Sequence, residues 1–451
     1  MKLTQARLMI AVAMSGLVMV ASLTTAGFNN GGGNRVGGVS IDPAGIVRTA
    51  TVQENQELVN LLRAEVTAPQ GDLNSAADRR LVSLGGLQKA IEKARQSGGR
   101  LPAEVRYMAG LTGIEYLYVD EKNNDIVIAG PAEPWTVSET GSIVGTKTGA
   151  SILQLEDLVI ALRNVENARE ASISCSIEST PEGRKRFMAL QRRMRLRPGQ
   201  NPAVFESAMK EAIGPQVIKF TGVPTTSRYA CTMVAADYQM KRLAMALVDS
   251  PVRELPSYLQ MARNGSHTSN RNPRWWMACD YESLTRNEQG TVWKLTGQGI
   301  KTMTEQDVIA ADGSTTSEAS DKLAQKWADE MTEHFTELAT EMPIFGDLQN
   351  LMDLTVISTL IVQEQLERNA GLDLAVLRDQ ESLAPQAFDA PRKIAPECSF
   401  IKGRNGWIVT ASGGVSVDAF QVVHDQKVDA ELESNLVATT DSDAWWWNDA
   451  R

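Results

Sequence analysis

Histidine is scarce in this chain of 451 residues: it occurs only as His267, His334 and His424. An acyl-transfer centre that relies on an imidazole base must use one of these three, and none sits in a recognisable catalytic frame. His267 lies in a polar stretch and reads as an ordinary exposed residue. His334 has Glu330 four residues before it and Glu337 three after, a spacing that could gather ligands on one helix face. The same segment carries Trp327, Met331, Phe335 and Leu338 as an apolar stripe, so a solvated charged face is expected there, and no metal.

Cysteine is nearly as sparse. Cys175, Cys231, Cys279 and Cys398 show no Cys-x-x-Cys spacing, which excludes the common redox and zinc motifs. No cysteine precedes Cys175, which excludes lipid attachment at a processed N-terminal cysteine. Four cysteines allow two disulfides in three connectivities. Cys175 and Cys231 are the pair expected to meet if a bridge forms, since both fall centrally in expected strands, with two buried thiols as the alternative. Also missing are a Gly-x-Ser-x-Gly elbow, a phosphate-binding glycine loop and a His-Glu-x-x-His helix. Gly297-Gln298-Gly299 lacks the third glycine of a dinucleotide loop and reads as a turn. No cofactor is expected.

Long apolar runs are missing too, except at the start. Lys2 and Arg7 precede an apolar stretch over residues 8–20 and small residues over 21–26, the three regions of a secretory signal peptide. Cleavage after Ala26 is expected, because the apolar run falls short of the roughly 20 residues that span a bilayer. Removing residues 1–26 takes the formal net charge from −10 to −12, which argues against a nucleic-acid partner. The rest has the composition of a globular chain, too long for one typical core. Two compact units are expected, over 39–262 and 273–430. A polar loop at 263–272 would separate them, with an Asn/Gly-rich linker at 27–38 and an acidic, Trp-rich tail at 431–451.

Within these units, a helix is expected over 78–96, weakened by Gly85 and Gly86. A hairpin is expected at 114–119 and 126–129, and a short helix at 155–162. Residues 172–177 alternate as a strand, followed by Thr180 as N-cap and Pro181 at the first helical position. A strand at 229–234, a helix at 237–248, a strand at 291–295 and helices at 321–340 and 348–367 follow. The last is apolar nearly all round and must be buried, with Asp353 as a satisfied structural group. An Asn-Gly turn at 405–406 precedes a strand at 407–410. Strands and helices mix without regular alternation, so the fold class is α+β. The hexamers GGVSID (37–42) and GGVSVD (413–418) suggest neighbouring strands that join the two ends of the fold.

DIVIAGPAEPW (125–135), SCSIESTPEG (174–183), GPQVIKFTGVP (214–224), PRWWMACDYESL (273–284) and FGDLQNLMDLTVISTLI (345–361) resemble, in that order, a family of secreted planctomycete proteins. The family is catalogued as a domain of unknown function, number 1598. The resemblance covers residues 39–423 and implies export and globularity. It carries no activity, cofactor or catalytic residue.

What stands out is charge and aromatic clustering. Between Arg184 and Arg197 there are seven basic residues and no acidic one. On a helix, Phe187, Leu190 and Met194 form one stripe, Arg184, Lys185, Arg192 and Arg195 a second face, and Arg186, Arg193 and Arg197 a third. Guanidinium groups suit carboxylate and phosphate. The second face is therefore the candidate site for an anionic envelope polymer, an anionic lipid surface or an acidic protein, unless the chain's own carboxylates neutralise it. Trp275 and Trp276, beside Asp280 and Glu282, are the aromatic and acidic candidates for a sugar cleft, with core packing the plainer expectation. Trp445, Trp446 and Trp447 could dock the tail on the body, insert at a membrane interface or bind a partner. Docking is expected. The function expected is a non-enzymatic binding or structural role in the cell envelope, the alternative being an extracytoplasmic hydrolase of glycan or peptide. A deep cleft with convergent acids of displaced ionisation would favour the hydrolase.

Overall fold

A computed structural model of the chain describes residues 26–27, 35–195, 200–262, 271–310, 312, 314–319, 322–401, 407–409, 412–432 and 446–449. Residues 1–25 of the expected signal peptide, the polar stretch 263–270, the Asn-Gly turn at 405–406, Arg197 and Trp445 lie outside the described residues. Two mixed sheets and their helices make an α+β fold. The larger sheet has ten strands in the order Thr315–Ala319, Gly299–Ile309, Arg271–Asp280, Ser412–Val417, Ile173–Glu178, Gln216–Thr221, Lys393–Ile394, Ile46–Thr49, Val39–Ile41 and Arg35–Val36. The smaller runs Gln426–Val428, Leu284–Arg286, Val292–Lys294, Tyr116–Asp120, Asp125–Ala132, Ala77–Ser83 and Trp447–Asp449.

This order overturns the division into units 39–262 and 273–430. Cys175 pairs with Val415 in one sheet and Tyr118 with Val292 in the other, so both sheets draw strands from either side of residues 263–272. A polar stretch marks a place where the chain runs outside a core, and it does not say that the cores on its two sides are separate. The larger sheet also begins inside the expected 27–38 linker. Arg35–Val36 turns back on Val39–Ile41 through Gly37 and Gly38 at φ +57° and +77°, the positive pair that a tight hairpin requires.

Local signals held where capping and period agreed. Ile173–Glu178 is a strand with Ile173, Cys175 and Ile177 buried on one face, and Thr180 caps the Pro181–Arg193 helix by accepting from the Gly183 amide at 3.0 Å. The hairpin Tyr116–Asp120 and Asp125–Ala132 and the helix Leu155–Arg163 form as expected. Two segments differ. Residues 77–83 are a strand, and the helix begins only at Leu84, because Ser83 caps it and both Leu81 and Val82 are buried in the sheet. Residues 229–234 belong to the helix Arg228–Ala244, capped by Ser227. Its residues are buried on nearly every face, which erases the helical period.

The Pro343–Gln363 helix explains its own composition. Ile344, Phe345, Leu348, Leu351 and Met352 enter the core beneath the larger sheet, while Leu354, Val356, Ile357, Leu360 and Ile361 enter the core of the smaller one. One helix thus threads both cores and has almost no wet face. Among the described residues, no helix is long and apolar enough to cross a membrane.

The two similar hexamers share the larger sheet but are not neighbours: three full strands and the short Lys393–Ile394 strand lie between them. They also use their glycines differently. Gly37 and Gly38 make a turn, whereas a side chain at Gly413 or Gly414 would strike the carbonyl oxygens of Trp275 or Cys175 at 1.7 and 2.0 Å.

Candidate functional site: a basic helical arm

The strands Ile173–Glu178 and Gln216–Thr221 pair antiparallel. Between them the chain leaves the sheet as a helical hairpin: Pro181–Arg193 out, Glu206–Ile213 back. The two helices approach closely at Gly183, where a Cβ would sit 2.1 Å from the Ile213 carbonyl oxygen, and the return ends at Gly214 with φ +67°. Glycine is needed at both points, at one for clearance and at the other for the positive φ. The expected stripe packs as expected. Phe187, with Leu190 and Met194 beside it, joins Met209, Ile213 and Cys398 in a small core of its own.

With the apolar stripe docked, the charges are turned outward. Lys185, Arg186, Arg192, Arg193 and Arg195 are exposed, while Arg184 is half-buried and donates to the Ser179 carbonyl. Arg186 Nε donates to the Ala212 carbonyl at 3.0 Å, and Arg195 Nη1 to the carbonyls of Arg192 at 3.2 Å and Met194 at 3.3 Å. These bonds cap helix ends and leave the positive charge in place. Among the described residues, no carboxylate lies within ion-pair distance of Lys185, Arg192 or Arg195. Of the two acids on the companion helix, Glu206 and Glu211, the first is taken by Lys210 at 2.7 Å. Asp312 is held below its ordinary value mainly by the Ser314 hydroxyl and amide, and Lys185 adds a smaller part.

The other candidates fall elsewhere. Trp275 is fully buried, edge-on to Tyr258 and Trp327 at 5.0 and 4.9 Å, and is core. Trp276 is half-buried on the opposite face of its strand. Asp280 pairs with Lys301 at 3.4 Å and Glu282 is exposed, so Trp275, on the core side of the strand, shares no face with these acids. Trp446 is buried and Trp447 half-buried, because Trp447–Asp449 is an edge strand on Ala77–Ser83. The tail docks. His334 ends one helix and starts the next, 3.7 Å from Glu337.

The proposed Cys175–Cys231 bridge is overturned, since both are free and buried. Cys231 lies on a helix and not on a strand. Its thiol feels Glu156 and Arg228, whereas that of Cys175 feels Asp237 and Lys241, six or more residues along the same helix, roughly 9 Å by helical rise. Burial pushes both thiols up.

What sequence reasoning missed is an interior charge cluster. Arg228 binds Asp157 and, at 3.1 Å, Asp347, with Glu156 beside them. Burial pushes Glu156 up to about 8, helped by Asp157, and pushes Asp157 up to about 6 against the pull of Arg228. Burial also raises Asp353 to about 7, opposed by the Tyr281 hydroxyl that donates to it at 2.6 Å. Asp353 is thus partnered, as expected. The partners of Arg228 are 71 residues before it in one case and beyond residue 340 in the other, so no local pattern could announce them. Glu156, Asp157 and Asp353 line neither of two roomy cavities among the described residues, of about 590 and 820 Å³. The cavity beside Arg228 and Asp347 holds about 60 Å³, enough for water and too small for a sugar ring. In the 590 Å³ cavity burial raises Asp125, which already accepts from the Ser83 hydroxyl and, at 2.9 Å, the Gly85 amide. It closes a helix end.

A family model described as a protein of unknown function (DUF1598) matches residues 175–258. That span opens in the strand ahead of the arm, contains the whole arm and ends after the Arg228–Ala244 helix. No curated protein matches, and no solved structure matches.

Proposed function

We propose that the protein is exported and serves as a non-enzymatic binding component of the bacterial cell envelope, with the helical arm as its contact surface. The observation that carries this reading is the state of Lys185, Arg192 and Arg195. They stand exposed, with no carboxylate of the described residues within ion-pair distance and only a weak pull between Lys185 and Asp312, on a helix that has already spent its apolar stripe on its own hairpin. In a chain with net charge −10, leaving such a face unneutralised favours an external anion. Arginine forks suit carboxylate and phosphate alike. Because the apolar stripe is buried in the arm, insertion into acyl chains has no apolar face to use. An anionic polymer or an acidic protein surface fits better than a bilayer.

The test replaces Lys185, Arg192 and Arg195 together with Gln in the full chain. Retention on isolated envelope or on a carboxylate- or phosphate-bearing matrix is expected to fall by about tenfold or more, and added salt is expected to release the parent protein in the same way. Retention that survives both treatments would reject the arm as the contact surface. N-terminal sequencing of the mature protein tests export, with Gly27 expected as the first residue.

A further inference from the structure

The C-terminal segment is held by four features that read four consecutive residues. Trp447, Asn448 and Asp449 pair with Val82, Leu81 and Arg80, and the Ser83 amide donates to the Trp446 carbonyl at 2.8 Å. Trp446 lies over Gly86, where a Cβ would come within 2.5 Å of the Trp446 Cβ and 2.7 Å of its Cα, so the missing side chain lets the Trp446 backbone approach closely. Trp447 meets Trp446 edge-on at 4.3 Å. Arg80 is fully buried and grips Asp449 with two nitrogens, Nε to Oδ1 at 2.6 Å and Nη2 to Oδ2 at 3.2 Å. Its remaining donors reach the carbonyls of Ala109 at 2.8 Å and Ser75 at 3.1 Å.

Two properties of this seat conflict in a useful way. The strand it holds is three residues long and lies at the edge of its sheet, so few backbone bonds oppose its departure. Yet among the described residues Asp449 is the acidic partner of Arg80, and emptying the seat would take that carboxylate away while the Ala109 and Ser75 carbonyls hold the guanidinium in place, leaving a fixed cation ready for another carboxylate. A seat held by few backbone bonds, and by side-chain contacts that an identical segment can replace, exchanges one occupant for another. We propose that the edge of the Ala77–Ser83 strand is a peptide-recognition site for the Trp-Trp-Asn-Asp segment, filled by the chain's own C-terminus and, at high concentration, by that of a second copy. Backbone pairing and the close approach at Gly86 supply the affinity, and the Arg80 fork supplies the selectivity. The tether gives the resident tail an effective concentration near the millimolar range, which sets the regime in which exchange appears. This inference stands apart from the reading of the arm.

The probe is a labelled synthetic peptide of residues 441–451. Asp449→Asn in the full-length protein weakens the resident tail and leaves Arg80 in place, so this variant is expected to bind the parent-sequence peptide at least about tenfold more tightly than the unaltered protein does. A peptide carrying Asp449→Asn is expected to lose binding by a similar factor. At about millimolar concentration the parent protein is expected to form dimers that excess peptide dissolves. Equal binding of both peptides, no gain in the variant, or no dimer at that concentration would overturn the proposal. Hydrogen exchange on the parent guards against a variant that fails to fold. The amides pairing residues 447–449 with 80–82 must open independently of the 80–83 to 127–130 pairing, and opening only by global unfolding would equally overturn it.

Discussion

Arg192 on the arm and Arg228 in the interior carry the same guanidinium and meet opposite fates. Arg228 is enclosed by Asp157, Asp347 and Glu156 where the helices Leu155–Arg163, Arg228–Ala244 and Pro343–Gln363 converge. Burial works against its charge, and the three acids outweigh that penalty. Arg192 stands in solvent on a helix whose apolar side is already covered. The comparison separates two uses of charge. Inside, charge is committed to a fixed set of partners and specifies how helices meet; outside, it is left uncommitted and available to a partner.

The largest expected effect breaks the interior set. Arg228→Ala leaves the buried carboxyl groups of Asp157 and Asp347 without their ion-pair partner, and a loss of about 3–5 kcal/mol in unfolding free energy is expected from denaturant titration. A loss below about 1 kcal/mol would mean that the interior cluster is no more committed than the arm.

A smaller effect sharpens the same point through pH. Glu156 ionises near 4.5 when unfolded and is pushed up to about 8 in the fold, so the folded state holds its proton more tightly across that window. Stability from this group is therefore expected to fall as pH rises from about 4.5 to about 8 and to level off above. Glu156→Gln removes that slope and is expected to make the variant more stable than the parent at pH 9, as thermal unfolding at a series of pH values would show. Parallel curves for the two proteins would refute the displaced ionisation.

The smallest effect is expected on the arm. Replacing Lys185, Arg192 and Arg195 with Gln should shift unfolding free energy by no more than about 0.5 kcal/mol per site, the range of exposed substitutions, while retention on an anionic matrix changes. A loss of several kcal/mol would show that these residues serve the fold, and the contrast with Arg228 would disappear.

Much of the arm was legible before any coordinates. Thr180, Pro181 and the alternation of Ile173, Cys175 and Ile177 specify a strand-to-helix junction over a few residues, and the spacing of Phe187, Leu190 and Met194 specifies which side docks. The interior was not legible, for a reason visible in particular residues. The Arg228–Ala244 helix is buried nearly all round, so Tyr229 to Val234 show no period and resemble a strand. Leu81 and Val82 continue the apolar run of the next helix until Ser83 caps it. The Cys175–Cys231 pairing failed with the same misassigned strand.

From sequence alone came the features set by neighbours in the chain: caps, the main hairpin, the all-round apolar helix, the basic face and the α+β class. Only the tertiary structure decided which charges find partners and which strands share a sheet. Asp449 reaches Arg80 across 369 residues, and Cys175 pairs with Val415 across the expected domain boundary. Helical period and capping act over one or two turns. Ion pairing and sheet order depend on which surfaces meet once the cores have closed, and nothing in the local sequence encodes that meeting.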